Sequence, residues 1–400
     1  MSQSPRRDLL PAVTPLRFPA AFVVFVVHCW MLLKGADPLT FTLPHDHLAA
    51  GVQFFFLLSG FILTYNYLHE FRNPTRRAAW NFYVARWARV YPVHVLTALA
   101  ALPVTLRAVK SGHISDPFTV SAVHLFLLQA FVPVTSPAVN AFNGASWSLS
   151  VECCFYLSLP LLIPALVRGG LVRRAVVLLV LLAPWMAAVA SVCGAFELPA
   201  WMHPYRFPPV RMVDFIAGVL LGVYWHHRNA TPAAPVSVRR ATVTEVAAIA
   251  GLTVWAWACF RVADGKGWLP AVSWIGIYLP PFAVCLWTFA RGRGLVSRLI
   301  ASKTLEYLGE ISFAFYMFHI PVIGALLAYG WRFGLHKWSW PAQWACACAA
   351  TFALAIACYH LYEIPLRDRL RRRLSIKKPK ADAPASIPLP VPTEAPAKAA

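Results

Sequence analysis

Charge is what this chain has least of. Asp, Glu, Lys and Arg make up 13% of its 400 residues, about half of the roughly 25% usual in soluble domains. No stretch between its apolar runs is long enough to build a soluble domain. An ordinary soluble enzyme is therefore excluded. Acidic residues are scarcer still, 16 against 36 Lys plus Arg, for a formal net charge of +20. In a soluble protein that excess would suggest nucleic acid; here it reads first as membrane topology, with no nucleic-acid partner. CxxC spacing is absent. The nine cysteines, Cys29, Cys153, Cys154, Cys193, Cys259, Cys285, Cys346, Cys348 and Cys358, lie in or beside apolar segments. They read as small core hydrophobes rather than a disulfide framework or a metal site. A small-residue cleavage site is also missing after the first apolar run, where bulky Trp30, Met31 and Leu32 stand, so Arg6 and Arg7 precede an uncleaved first span.

What is there is hydrophobic: 59% of the residues, with a mean hydropathy of +0.58. Apolar runs of about twenty residues, each able to cross a ~30 Å hydrocarbon core as a helix, recur along the chain. They predict an all-α, polytopic integral membrane protein with ten spans near 16–34, 48–68, 90–106, 146–167, 175–192, 210–226, 243–260, 269–290, 307–329 and 341–361. An eleventh apolar piece, Ser121 to Val134, is short and flanked by Pro117, Pro133 and Pro137, and reads as a re-entrant segment as readily as a span. The positive-inside rule decides between the two. With the short piece not crossing, 26 of the 36 basic residues fall on the cytoplasmic side; with it crossing, the basic C-terminal tail would face outward. The expectation is ten crossings with both termini cytoplasmic, a transmembrane domain over 1–366, and a basic, then Pro/Ala-rich, disordered tail over 367–400. The basic start of that tail suits anionic membrane lipid, or is simply solvated.

Ionisable groups inside spans are costly and so are functional candidates, with structural pairing as the alternative. Arg17 and His28 are eleven residues apart in the first span, roughly 20° apart on one helical face with a rise of about 16 Å. One helix thus offers a cation near the cytoplasmic surface and an imidazole deep in the membrane, unless they are only a snorkelling Arg and a packed His. Arg86 and Arg89 share one turn of a helix entering from the same side. With Arg17 they would form a basic mouth suited to a polyphosphate, since guanidinium groups bind phosphate oxygens in bidentate fashion; otherwise they are positive-inside anchors. Glu152 is the sole carboxylate of its span, and counting from the outer membrane surface puts it at the depth of His28. A His oriented by a carboxylate is the usual general-base pair, although Glu152 would also serve to brace its own helix. Asp214 and His319 are further candidates, structural or acceptor-side.

Taken together these pieces resemble the bacterial membrane-bound acyltransferase family 3, of the O-antigen and exopolysaccharide O-acyltransferase type. The landmarks are Arg17 and His28, Gly51-Val52-Gln53-Phe54-Phe55-Phe56-Leu57-Leu58-Ser59-Gly60-Phe61, Arg86-x-x-Arg89 with Tyr91-Pro92, and Trp147-Ser148-Leu149-Ser150-Val151-Glu152. Asp214-Phe215-Ile216-Ala217-Gly218, Leu308-Gly309-Glu310-Ile311-Ser312 ahead of Tyr316 and His319, and Tyr362-Glu363-Ile364-Pro365 complete the series. Cys153 and Cys154 come directly after Glu152 where members often have a second acid. The resemblance implies an acyl-CoA donor, most simply acetyl-CoA, entering from the cytoplasm. It implies an acceptor hydroxyl on a polysaccharide or lipid-linked glycan, and a place in the bacterial inner membrane. By the same resemblance His28 is the essential base, Glu152 its supporting carboxylate, and Arg17, Arg86 and Arg89 the donor-binding residues. Ser59 as a covalent acyl carrier competes with Ser59 in a glycine-containing helix contact. A transporter or flippase, or an acyltransferase for an antibiotic or lipid, remains the rival reading.

Overall fold

A computed structural model of the chain describes residues 10–33, 50–133, 135–168, 170–192, 195, 197–199, 202–229, 236–263 and 276–376. Among them the regular structure is helical, with no strand. Ten helices fall on the expected spans: α1 (Arg17–Leu33), α2 (Ala50–Arg72), α3 (Arg76–Lys110), α5 (Trp147–Arg168), α6 (Leu171–Val192), α7 (Pro208–Arg228), α8 (Val238–Ala263), α9 (Leu279–Arg291), α11 (Lys303–Tyr329) and α12 (Trp340–Cys358). Short α4 (Pro117–Leu125) and α10 (Leu295–Ile300) lie between them, and α13 (Ile364–Leu374) comes last. Seven helices of the bundle are by themselves long and apolar enough to cross a bilayer. Their outward faces fit that solvent: Leu157, Leu161, Leu179, Val180, Val254 and Trp257 are all exposed, a density of apolar surface that water would not tolerate but lipid does. The protein is an all-α polytopic membrane protein.

Three boundaries differ most from expectation. α9, expected from 269, starts at Leu279 and has 13 residues. α3 starts 14 residues before the expected 90, capped by Thr75, whose side chain accepts from the Ala78 amide. At 35 residues it is about 52 Å long and carries Arg86 and Arg89 in mid-helix. At the other end, α12 runs through a single π-helical turn, Tyr359–Glu363, into α13. The tail expected from residue 367 therefore begins as ordered helix, because α13 is clamped to the start of α3. Trp80 Nε1 donates to the Leu374 carbonyl at 2.9 Å, and Asn81 exchanges two hydrogen bonds with the Ile376 backbone. Residues 377–400 of that tail, and Lys34, lie outside the described residues.

Between α3 and α5 the chain first runs over the surface and then turns in. α4 has nine residues, about 13 Å of helix and too short to span. Its sequel turns inward, and Asn143, fully buried, donates to Thr97 Oγ1 at 3.0 Å and to the Met317 carbonyl at 2.8 Å. Thr97 and Met317 are mid-helix residues of α3 and α11, so α5 begins inside the bundle rather than at its outer edge. The amide of Gln129 extends this buried polar seam, donating to Ser146 Oγ at 3.2 Å.

The most intimate packing is between α2 and α7, where Gly60 and Gly218 bring backbone against backbone. Beneath it Arg211 and Asp214, both fully buried, form an ion pair of 2.5 Å within α7, with the guanidinium over the Phe56 ring. Asp214 is thereby taken up structurally. Ser59, next to Gly60, faces away from this seam and lines a cleft.

Candidate active site

That cleft is walled by α1, α2, α3, α5 and α11. Arg17, Arg86 and Arg89 line it together with Glu152, Tyr156, Ser148 and Tyr316. The three cations expected to form a basic mouth are therefore in one site, although they come from two helices and Arg17 is 69 residues before Arg86 in sequence. Tyr156 Oη donates to Glu152 Oε2 at 2.5 Å, across one turn of α5, and the carboxylate faces Arg89, Arg17 and Arg86. A second carboxylate, Glu363, is buried and faces Arg89 and Arg17. The π turn at Tyr359–Glu363 places it there, since one residue inserted into a helix rotates every later residue about the axis. Arg367 and Glu310 also face Glu363, and four guanidinium groups against three carboxylates leave the mouth positive. Arg86 Nε is buried with no hydrogen-bond partner, a donor aimed at nothing in the protein.

The deep end of the cleft is closed by Tyr316, whose hydroxyl is 3.0 Å from Ser148 Oγ. One turn beyond it, His319 packs against His28 with ring centroids 5.0 Å apart. His28 Nδ1 lies 2.8 Å from the Val24 carbonyl, which puts the ring proton on Nδ1 and leaves Nε2 as the basic nitrogen. His319 is likewise tied through Nδ1 to the Tyr316 carbonyl, and its buried Nε2 has no hydrogen-bond partner.

The expected direct pairing of His28 with Glu152 is not made. Ser148, at the level of Tyr316, is one turn from Glu152 on α5, and His319 is one turn from Tyr316 in the opposite direction on α11. The two turns separate the carboxylate from the imidazoles by about 10 Å in depth. The depth estimate assumed that α5 starts at the outer end of the bundle; the inward fold at Asn143 starts it inside the bundle, against mid-helix residues of α3 and α11, so Glu152 lies among the arginines. His28 has His319 as its neighbour instead.

A family model described as an acyltransferase domain matches residues 12–360, nearly the whole helical chain. The chain belongs to acyltransferase family 3. It is 30% identical over 372 residues to the acyltransferase MdmB of Streptomyces mycarofaciens, covering 88% of each chain. It is also 30% identical to nodulation protein 10 of Rhizobium leguminosarum bv. viciae, over 90% of this chain and 95% of that one. Peptidoglycan O-acetyltransferase OatA of Listeria monocytogenes is 23% identical over 90% of this chain but only 56% of its own. No solved structure matches significantly.

In this family 3 acyltransferase, sequence reasoning missed Tyr156 and Arg206 and gave Glu363 no role. Tyr156 lies four residues after Glu152, a spacing that would have brought them together on any helix. Glu363 was hidden by the π turn, which no local propensity announces. Arg206 lies in the loop between two spans, yet it is buried over the Trp147 ring, 5.7 Å from the centroid.

Proposed function

We propose that the protein moves an acyl group, acetyl most simply, from cytoplasmic acyl-CoA to a hydroxyl of a cell-surface or exported polysaccharide, at the inner membrane of a bacterium. One observation carries this: Arg17, Arg86 and Arg89 converge at one end of a cleft whose other end closes on Tyr316, with His28 and His319 just beyond. The unpartnered Arg86 Nε and the residual positive charge of the mouth fit the phosphates of CoA, which supplies an activated thioester when bound. A pantetheine arm is about as long as the ~16 Å rise from Arg17 to His28, so phosphates held at the mouth bring the thioester to the imidazoles.

His28, with Nε2 basic, takes the acceptor proton as its oxygen attacks the thioester. Glu152 and Glu363 act at the donor end, holding Tyr156 and the guanidinium groups in place and keeping the cluster from self-repulsion. The polysaccharide acceptor is inferred from the relative named as a peptidoglycan O-acetyltransferase, whose acceptor is a glycan. Both termini face the cytoplasm, so a reporter enzyme fused after Ala400 is expected to score as cytoplasmic; a periplasmic score would reverse the direction of donor entry. The reading itself is tested in cells that naturally carry the chain. Deleting its gene should remove ester-linked acyl groups from surface glycans by mass spectrometry, and the wild-type gene should restore them. Surface glycans with unchanged acylation would overturn it.

A further inference from the structure

Among the described residues, Arg206 is the strongly buried cation near His28 that the donor-binding reading leaves without work. It sits in the connection between α6 and α7 and is 9% exposed. Its Nη1 is buried with no hydrogen-bond partner. Among the described residues the ion pairs are Arg211 with Asp214 and Arg367 with Asp368, so no acid there neutralises Arg206. Its electrostatic neighbours are the phenols Tyr205 and Tyr316, together with His28 and His203. Burial pulls its pKa down to about 10, which leaves it charged at neutral pH. His203, held to about 4 by its own burial and then by Arg206, is neutral there and adds no second charge.

Packing does not account for this arrangement. The face of Trp147 offers a cation–π contact, and Tyr205 lies tilted beside that ring, centroids 4.9 Å apart. Such a contact offsets only part of what it costs to take a guanidinium out of water. A fixed, dry, unpaired cation next to a general base is what a reaction that develops negative charge at that point requires. The mouth formed by Arg17, Arg86 and Arg89 cannot supply it, because it lies at the far end of the cleft. Tyr316 faces Arg206 from within the cleft's lining, so the guanidinium borders the place where a thioester carbonyl would stop.

We propose that Arg206 is a catalytic residue, the donor that stabilises the oxyanion formed on the thioester carbonyl beside His28. This rests on the acyl-transfer reading above. His28 accepts the proton of the acceptor hydroxyl, the hydroxyl oxygen forms the new bond to the carbonyl carbon, and the carbonyl electrons move onto oxygen, against Arg206. When the carbonyl re-forms, the carbon–sulfur bond breaks and the thiolate takes the proton back from His28. The products are the ester and free CoA, with no oxidant or further reactant.

The test uses membranes of cells that naturally make the protein, expressing wild type, R206Q, R206K or His28→Ala from the same locus, with acetyl-CoA as donor and CoA release as readout. R206Q is expected to lose about 10²–10³-fold in kcat with the KM for acetyl-CoA within about twofold of wild type. R206K, which keeps the charge but not the fork, should lose about tenfold. A melting profile of each purified variant separates this from a packing role, and if R206Q does not fold, R206K decides. Wild-type kcat in a folded R206K or R206Q, or a loss that tracks the folded fraction, overturns the proposal. An inactive His28→Ala beside a fully active R206Q removes Arg206 alone. A wild type that releases no CoA removes the acyl-transfer reading and this inference together.

Discussion

Replacing His28 with Ala is expected to lower kcat for acyl transfer by about 10²–10⁴-fold, the usual worth of a positioned general base and about 3–5 kcal/mol of barrier. The effect should fall on kcat because His28 lies beyond the cleft lining, past Tyr316, away from the cations that would hold the donor. Neutralising those cations should do the opposite: R86Q and R89Q together are expected to raise the KM for acetyl-CoA at least tenfold while changing kcat little, since a phosphate grip bound equally in ground and transition states is uniform binding. Both are read from CoA release at varied acetyl-CoA in membranes that contain the native acceptor. His28 packs on Val24 and His319, so His28→Gln, which retains a hydrogen-bonding group of similar reach, is the partner variant for loss of fold. Full turnover in either His28 variant would remove the imidazole from the mechanism and turn attention to His319, whose bare Nε2 is the other basic nitrogen at that depth.

The parts of this site that the sequence made legible are those that depend on helical arithmetic alone. Arg17 and His28 share a face, and Arg86 and Arg89 share a turn, whatever the tertiary structure; charge asymmetry then put Arg17 and the Arg86 pair at the same surface. What was not legible depends on where a helix begins in space. Glu152 was placed by counting from the membrane surface, and the count failed because Asn143 folds inward and starts α5 inside the bundle. Hydropathy reports the length of an apolar run and nothing about the depth of its first residue. Arg206 failed for the related reason that a loop cation between two spans is assumed to be in water. The aromatic residues around it, Trp147 and Tyr205, are a weak sign that it is not. Glu363 and α13 show the same limit at the other end: a π turn and a clamp at Asn81 decide where that segment goes, and neither has a periodic signature.

Gly218→Val should cost the protein its fold as well as its activity. A Cβ on Gly218 would overlap the Leu57 carbonyl oxygen and lie 2.8 Å from the Phe61 amide nitrogen, and one on Gly60 would overlap the Phe215 carbonyl oxygen. These are backbone atoms, so no side chain can turn aside; α2 and α7 would have to separate. Overpacking ordinarily costs about 1–3 kcal/mol, and a reciprocal backbone contact belongs at or above the top of that range. α2 carries Ser59 and Phe55 into the cleft, and the Arg211 and Asp214 pair lies under Phe56, so separation would also expose a buried ion pair and widen the donor site. Gly251 provides the control, because it lies in α8 with nothing within 4 Å of a Cβ. There an alanine is expected to be neutral or to stabilise by about 0.5–1 kcal/mol through helix propensity. Melting monitored by loss of the monodisperse peak in one detergent compares the two directly. A Gly218→Val protein that melts where Gly251→Ala does would mean that α2 and α7 are not held at backbone contact, and the cleft wall they form would have to be redrawn.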